Sequence, residues 1–164
     1  MAHSKSNVET KGNQLIVTRD FAAPRDLVFE VWSSCEHVKH WWGPKEWPMD
    51  ECMMEFREGG IWRYCLRGPN DGDESWGKAI YQEIKRPEKI VYIDHFTDSQ
   101  GNINEQMPEL TITIEFVEHE GKTRQIQTAL FDSAETRKKI EEMGFIEGMN
   151  SSLDRLDEHL ANLQ

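Results

Sequence analysis

The sequence predicts an α+β domain in which a curved antiparallel sheet is covered by one long C-terminal helix. Three observations predict it. Strands of two-residue alternation recur between residues 47 and 130, turn signals separate them, and one amphipathic segment closes the chain. A length of 164 residues suits one core, and no linker, repeat or low-complexity segment divides it. The predicted domain is therefore 13–164, preceded by a polar stretch, 1–12, expected to be disordered or frayed.

The ordered part opens with a strand over Gln14–Phe21, rich in β-branched residues. Pro24 suits a first helical turn, and Leu27, Val28, Val31 and Trp32 share a helical face over about 25–34. A second short helix is expected over about 36–41, ending before Gly43-Pro44. The meander follows, with turns at Gly59-Gly60, Gly68-Pro69, Arg86-Pro87, Gly101 and Glu120-Gly121. Trp62, Tyr64 and Leu66 alternate with Arg63, Cys65 and Arg67. Leu110, Ile112, Ile114 and Phe116 alternate with polar residues, and Ile126, Thr128 and Leu130 with Gln125 and Gln127. Such alternation belongs to a sheet wet on one side, and the face bearing Ile126 and Leu130 reads as the dry one. Its cover is a single helix capped by Asp132 or Ser133, with Ile146, Met149, Leu153, Leu156, Leu160 and Leu163 along one stripe.

Charge and composition narrow the function. A net charge of −11 repels phosphate backbones and anionic lipid surfaces, which argues against a nucleic-acid partner. No stretch is long and apolar enough for stable membrane insertion. The polar N-terminus lacks a signal-peptide core. Cys35, Cys52 and Cys65 form no C-x-x-C pair and read as reduced thiols of a cytoplasmic protein.

A sheet of this size over one helix encloses more space than side chains readily fill. The aromatics spread along the chain are therefore read as the wall of an apolar ligand cavity. The candidates are Trp32, Trp41, Trp62, Tyr64, Trp76, Tyr92, Phe96, Phe145 and Met149. Arg63, Tyr81, Glu83, Asp94 and His95 are the candidate polar groups beside it. Neighbouring strand residues point to opposite faces, so Asp94 and His95 cannot both reach the cavity. Trp41-Trp42-Gly43-Pro44 reads as a helix-end plug or as a lid over the cavity mouth. His37 and His40 have metal-ligand character but lack the further ligands a zinc site needs. No metal, cofactor or catalytic residue is assigned, since no nucleophile, metalloprotease or phosphate-loop motif occurs.

Five strings, in order, carry a resemblance. They are Phe21-Ala22-Ala23-Pro24-Arg25 running on to Val31-Trp32; His40-Trp41-Trp42-Gly43-Pro44; Gly59-Gly60 with Trp62-Arg63-Tyr64; Pro87-Glu88-Lys89-Ile90-Val91-Tyr92; and Gly148, Asn150 and Ser152-Leu153-Asp154-Arg155-Leu156. Over about residues 14–163 the chain resembles activator of heat-shock protein 90 ATPase homologue-type domains, within the START-like, SRPBCC (Bet v 1-like) superfamily. The resemblance implies a helix-grip fold with a deep hydrophobic cavity. It implies binding of a lipid-like or aromatic polyketide-type molecule as the first functional expectation. A protein-interaction module related to chaperone ATPase activation is the second, and a cyclase- or hydrolase-type enzyme the third.

Overall fold

The computed structural model describes residues 6–164. In chain order its elements are β1 (Asn7–Lys11), β2 (Gln14–Phe21), α1 (Arg25–Glu30), α2 (Cys35–Val38), β3 (Met49–Met54), β4 (Ile61–Arg67), β5 (Glu74–Lys85), β6 (Lys89–Thr97), β7 (Leu110–His119), β8 (Lys122–Leu130), α3 (Ala134–Glu142) and α4 (Phe145–Asn162). The strands form one eight-stranded antiparallel sheet of order β1-β2-β8-β7-β6-β5-β4-β3. Strands β3 to β8 are the predicted meander, and β2 returns to pair with β8. With α4 lying across the concave face, this is the helix-grip arrangement.

Several expectations are corrected. Part of the polar start, expected to be frayed, is strand: Asn7–Lys11 pairs with β2 through the tight turn at Gly12, where φ is +61°. Residues 1–5 lie outside the described residues. Helix α1 stops at Glu30 and α2 occupies Cys35–Val38, so both differ from the ranges expected. The single C-terminal helix is two. Ser133 caps α3 by accepting a hydrogen bond from the Thr136 amide. Gly144, at φ +93°, then turns the chain before α4 begins, a conformation that a side chain disfavours.

Cys35 and Cys52 are joined by a disulfide, which overturns the reduced-thiol reading for this pair. The fold brings the first residue of α2 beside an inward position of β3, with the Cα atoms 5.8 Å apart, inside the range a disulfide can span. Only Cys65 is free, and it is buried. No helix among the described residues is long and apolar enough to cross a membrane.

The dry face of β8 is the reverse of the one expected. Thr123, Gln125, Gln127 and Ala129 are buried, whereas Leu130 is exposed. Two of the inward polar groups are matched by hydrogen bonds. Trp32 Nε1 donates to Gln125 Oε1 at 3.0 Å, and Thr123 Oγ1 donates to the Ala23 carbonyl at 2.8 Å. On β2, Arg19 also points inward and is buried. It reaches α4, where it pairs with Asp154 at 2.8 Å and with Asp157.

Leu153, Leu156 and Leu160 are the buried apolar stripe of α4, with Leu156 at 0% exposure. Leu156→Ala is expected to lower stability by about 3 kcal/mol, the transfer loss plus an unfilled cavity. Urea denaturation measures it, and a loss under about 1 kcal/mol would contradict the packing of α4 on the sheet.

Candidate functional site

The central strands present a compact set of side chains to α4. Across the sheet, Trp62, Ala79, Asp94 and Leu110 stand in register on β4 to β7. Tyr64, Gly77 and Phe96 form the row on one side, and Tyr81, Tyr92, Ile112 and Ala129 the row on the other. The small residues Gly77, Ala79 and Ala129 leave room that the large rings occupy. Gly77 makes this concrete: a Cβ there would meet the Tyr64 ring at 2.2 Å. Gly77→Ala is therefore expected to displace Tyr64 and to lower stability by about 1–3 kcal/mol, as overpacking does. Thermal denaturation measures the loss, and an unchanged melting temperature would contradict the contact.

One carboxylate sits among these rings. Both Asp94 oxygens accept from the Tyr64 hydroxyl, at 2.8 and 3.0 Å. Burial pushes the Asp94 carboxyl up to about 7, against the downward pull of the Tyr64 hydroxyl and the His95 backbone amide. Tyr64 is itself held well above the usual phenol value, by burial first and by the Asp94 charge second. Tyr81 and Tyr92 are raised by the same causes in the same order. The three phenols thus stay neutral, while Asp94 keeps its proton to a much higher pH than an ordinary carboxyl does.

The rings make a continuous path. Phe116 meets Phe29 at 5.3 Å, Phe29 meets Phe56 at 5.9 Å, and Phe56 meets Tyr81 at 5.2 Å. Tyr81 then meets Tyr92 at 6.2 Å, Tyr92 meets Trp62 at 5.9 Å, and Trp62 meets Tyr64 at 5.0 Å. Trp42 closes the path, 4.5 Å from Tyr64 and 5.1 Å from Trp62. It is half-buried and also hydrogen-bonds Tyr92 through its side chain. Its segment is held to α4 by polar contacts. The Gly43 amide donates to Ser152 Oγ, the Lys45 amide to Ser151 Oγ, and Arg155 donates to the carbonyls of His40 and Gly43.

Several buried polar atoms around this path have no protein hydrogen-bond partner among the described residues. They include Trp62 Nε1, Tyr81 Oη, Gln127 Oε1 and, on α4, Asn150 Oδ1. Each such group carries a desolvation penalty of about 1–3 kcal/mol until a partner supplies the hydrogen bond.

The structure therefore gathers some of the predicted residues and separates others. Trp62, Tyr64 and Tyr92 come together, and Phe96 stands at the end of their face. Trp32 and Trp41 form a pair of their own at 4.7 Å, with Trp41 Nε1 donating to the Val31 carbonyl. Phe145 meets Phe131 at 6.1 Å, and both Phe145 and Met149 pack on the core from the start of α4. Trp76 belongs elsewhere: it lies on the convex face, under the Arg63 guanidinium at 5.6 Å, with its Nε1 donating to Glu74. Its register opposite Cys65 gives it the parity opposite to Gly77.

Of the candidate polar groups, Asp94 and Tyr81 are on the concave face. Arg63 donates to the Ser99 carbonyl outside it, Glu83 pairs with Lys89, and His95 takes the parity opposite to Asp94. Sequence reasoning missed Phe56, which lies on the ring path, and Asn150, whose buried Oδ1 lacks a partner.

The best-formed clefts lie away from this face. One, of about 460 Å³, is lined by Pro24, Asp26, Leu27, Glu30, Arg86 and Pro87. A smaller one, of about 130 Å³, borders Cys52, Met53, Arg63 and Trp76. A third histidine joins the sequence-predicted pair. His37 Nδ1 lies 3.0 Å from His159 Nε2, and His40 stacks on His159 at 5.2 Å. Burial, then His37 and His40, hold His159 below the usual imidazole value. Among the described residues no group of three or more His, Cys, Asp or Glu is arranged to hold a metal ion.

Comparison with known proteins gives a family and a fold. A family model described as activator of Hsp90 ATPase homolog 1-like protein matches residues 22–161. No curated protein matches the chain. A crystal structure from Mycobacterium smegmatis is similar, with 29% identity and a TM-score of 0.86, over 94% of this chain and 95% of that one. A solution structure from Arthrobacter aurescens has 27% identity and a TM-score of 0.88, over 95% and 91%. Another from Staphylococcus epidermidis has 31% identity and a TM-score of 0.83, over 96% and 95%.

Proposed function

We propose, for a chain that belongs to the activator of Hsp90 ATPase homolog 1-like family, that it binds an apolar small molecule between the concave sheet face and α4. One observation carries the reading: two buried polar atoms without protein partners, Trp62 Nε1 and Tyr81 Oη, belong to the connected aromatic rings, and a third, Asn150 Oδ1, is on α4. A ligand with an apolar body and one or two polar groups satisfies them while burying its own apolar area, worth about 25 cal/mol per Å². Trp42 is the natural door. It rests by its ring edge on Trp62 and Tyr64, and its backbone neighbours are tied to α4.

The protein-partner reading would call for a continuous exposed apolar patch. Among the described residues the large exposed apolar side chains are Met53, Ile103, Val117, Leu130, Met143 and Leu163, each on a different segment. The small-molecule reading is therefore favoured.

The test uses a neutral apolar fluorophore, phenylnaphthylamine. Binding is expected to change Trp emission and raise the melting temperature, since the probe binds only the folded chain. Met149→Trp, which adds bulk to the α4 wall, is expected to abolish probe binding while the chain stays folded. No probe binding to the parent chain, together with unfolding of Met149→Trp, would mean a filled interior and refute the proposal.

A further inference from the structure

We infer that the ligand of this face is an organic ammonium, its cationic nitrogen held by Asp94 and enclosed by the faces of Trp42, Trp62, Tyr64, Tyr81 and Tyr92. The inference rests on the small-molecule reading above and names the ligand's chemical class.

The argument begins with the company Asp94 keeps. It stands in register between Ala79 and Leu110, beside Trp62, with aromatic rows on either side. The groups acting on its carboxylate are the Tyr64 hydroxyl and the His95 backbone amide, and no Lys, Arg or His side chain of the described residues is among them. A desolvated carboxylate is ordinarily matched by a cation or by several donors. Half-buried Asp94 has the Tyr64 hydroxyl and the His95 amide, and neither neutralises its negative charge.

The surrounding surface suits a cation as well. Aromatic faces are electron-rich and attract ammonium groups that have shed their water. Trp42, Tyr64, Trp62, Tyr92 and Tyr81 form one connected aromatic cluster with centroids 4.5–6.2 Å apart, and the Tyr64 hydroxyl ties Asp94 to it. An anionic ligand would meet Asp94 with like charge. A neutral apolar ligand would leave the carboxylate without a partner. An alkyl- or aryl-substituted ammonium satisfies both the carboxylate and the apolar rings. The titratable side chains that sense the Asp94 charge are Tyr64 from β4, Tyr81 from β5 and Tyr92 from β6, and its neighbour on β7, Leu110, carries no charge.

The experiment compares benzyltrimethylammonium with its neutral isostere, neopentylbenzene, by Trp fluorescence and thermal shift at pH 8 and pH 5. The ammonium is expected to bind at least tenfold more tightly than the isostere at pH 8, and to lose that advantage at pH 5 as Asp94 takes up a proton. Asp94→Asn is expected to remove the preference at pH 8 while keeping the hydrogen bond from Tyr64. Tyr64→Phe keeps the carboxylate but removes the hydroxyl that pulls its pKa down, so it is compared at pH 9, where it is expected to retain the preference, and a folding defect in one variant does not decide the result. Equal binding of both compounds, or a preference that survives in Asp94→Asn, overturns the ammonium inference and leaves the small-molecule proposal standing. Failure of both compounds and of the neutral fluorophore to bind the parent chain overturns both.

Discussion

Replacing Asp154 and Asp157 together by Ala is expected to destabilise the fold by about 3–5 kcal/mol, because it strands a buried guanidinium. Arg19 is only 2% exposed, and its charge is answered across the interface by Asp154, 65% exposed, and Asp157, 27% exposed. Its Nε already lacks a partner. Either acid alone still offers a counter-charge, so each single variant is expected to cost markedly less than half of the double. That non-additivity is the signature of groups sharing one partner. Exposed ion pairs are worth little. The effect here comes from the uncompensated charge left on the sheet side. Adding Arg19→Leu to the double variant is expected to recover much of the loss, since an apolar side chain no longer needs a counter-ion there. Urea denaturation of the parent and the four variants checks the ordering. A double variant within about 1 kcal/mol of the parent, or no recovery with Arg19→Leu, would refute this account.

The same residue shows what the sequence conveyed and what it withheld. The strand alternation of β4 and β7 was legible because the apolar parity and the buried parity coincide: Trp62, Tyr64 and Leu66 are buried, as are Leu110, Ile112, Ile114 and Phe116. On β8 they do not coincide. Ile126 and Leu130 mark the apolar parity, yet the buried set is Thr123, Gln125, Gln127 and Ala129. Gln125 is needed there by Trp32, and Thr123 by the Ala23 carbonyl. Those demands come from the segments on either side of α1, about a hundred residues away, and no local period encodes them. Arg19 on β2 follows the same logic, since its partners lie on α4.

The candidate site was legible to a similar extent. Aromatic residue types were visible, but which of them meet depends on register. Trp76 and Gly77 are neighbours in sequence on opposite faces, and only the pairing of Gly77 with Tyr64 and of Trp76 with Cys65 decides which looks inward. Asp94 and His95 posed the same choice, which the alignment of Asp94 with Ala79 settles. The Cys35–Cys52 disulfide and the approach of His159 to His37 and His40 are likewise products of the tertiary fold. The break at Gly144 did have a local signal, since a glycine interrupts the C-terminal helical stripe.

The pH dependence of stability is expected to report on Asp94 directly. The folded chain holds this carboxyl at about 7, where an unfolded chain has it at the ordinary 3.8. The folded state therefore binds the proton more tightly, and between about pH 4 and pH 7 it is protonated while the unfolded state is not. Stability must then fall as pH rises through that window, at a rate set by one proton per molecule. Above it the Asp94 contribution levels off, with the ionised carboxylate opposing folding by about 4 kcal/mol at most. Below about pH 4 both states are protonated and the penalty vanishes. Asp94→Asn removes the titration and keeps an acceptor for the Tyr64 hydroxyl, so it isolates the charge from the hydrogen bond. It is expected to stabilise the protein at pH 8 by up to about 4 kcal/mol and to leave stability nearly unchanged at pH 4. The difference between parent and variant, followed by urea denaturation from pH 4 to pH 8, cancels the contributions of the other carboxylates, which both proteins share. Its shape is thus specific to the one group. A difference that does not change with pH, or that favours the parent at pH 8, would show that the Asp94 carboxylate is stabilised in the folded chain by a cationic or hydrogen-bonding environment other than the aromatic face described above.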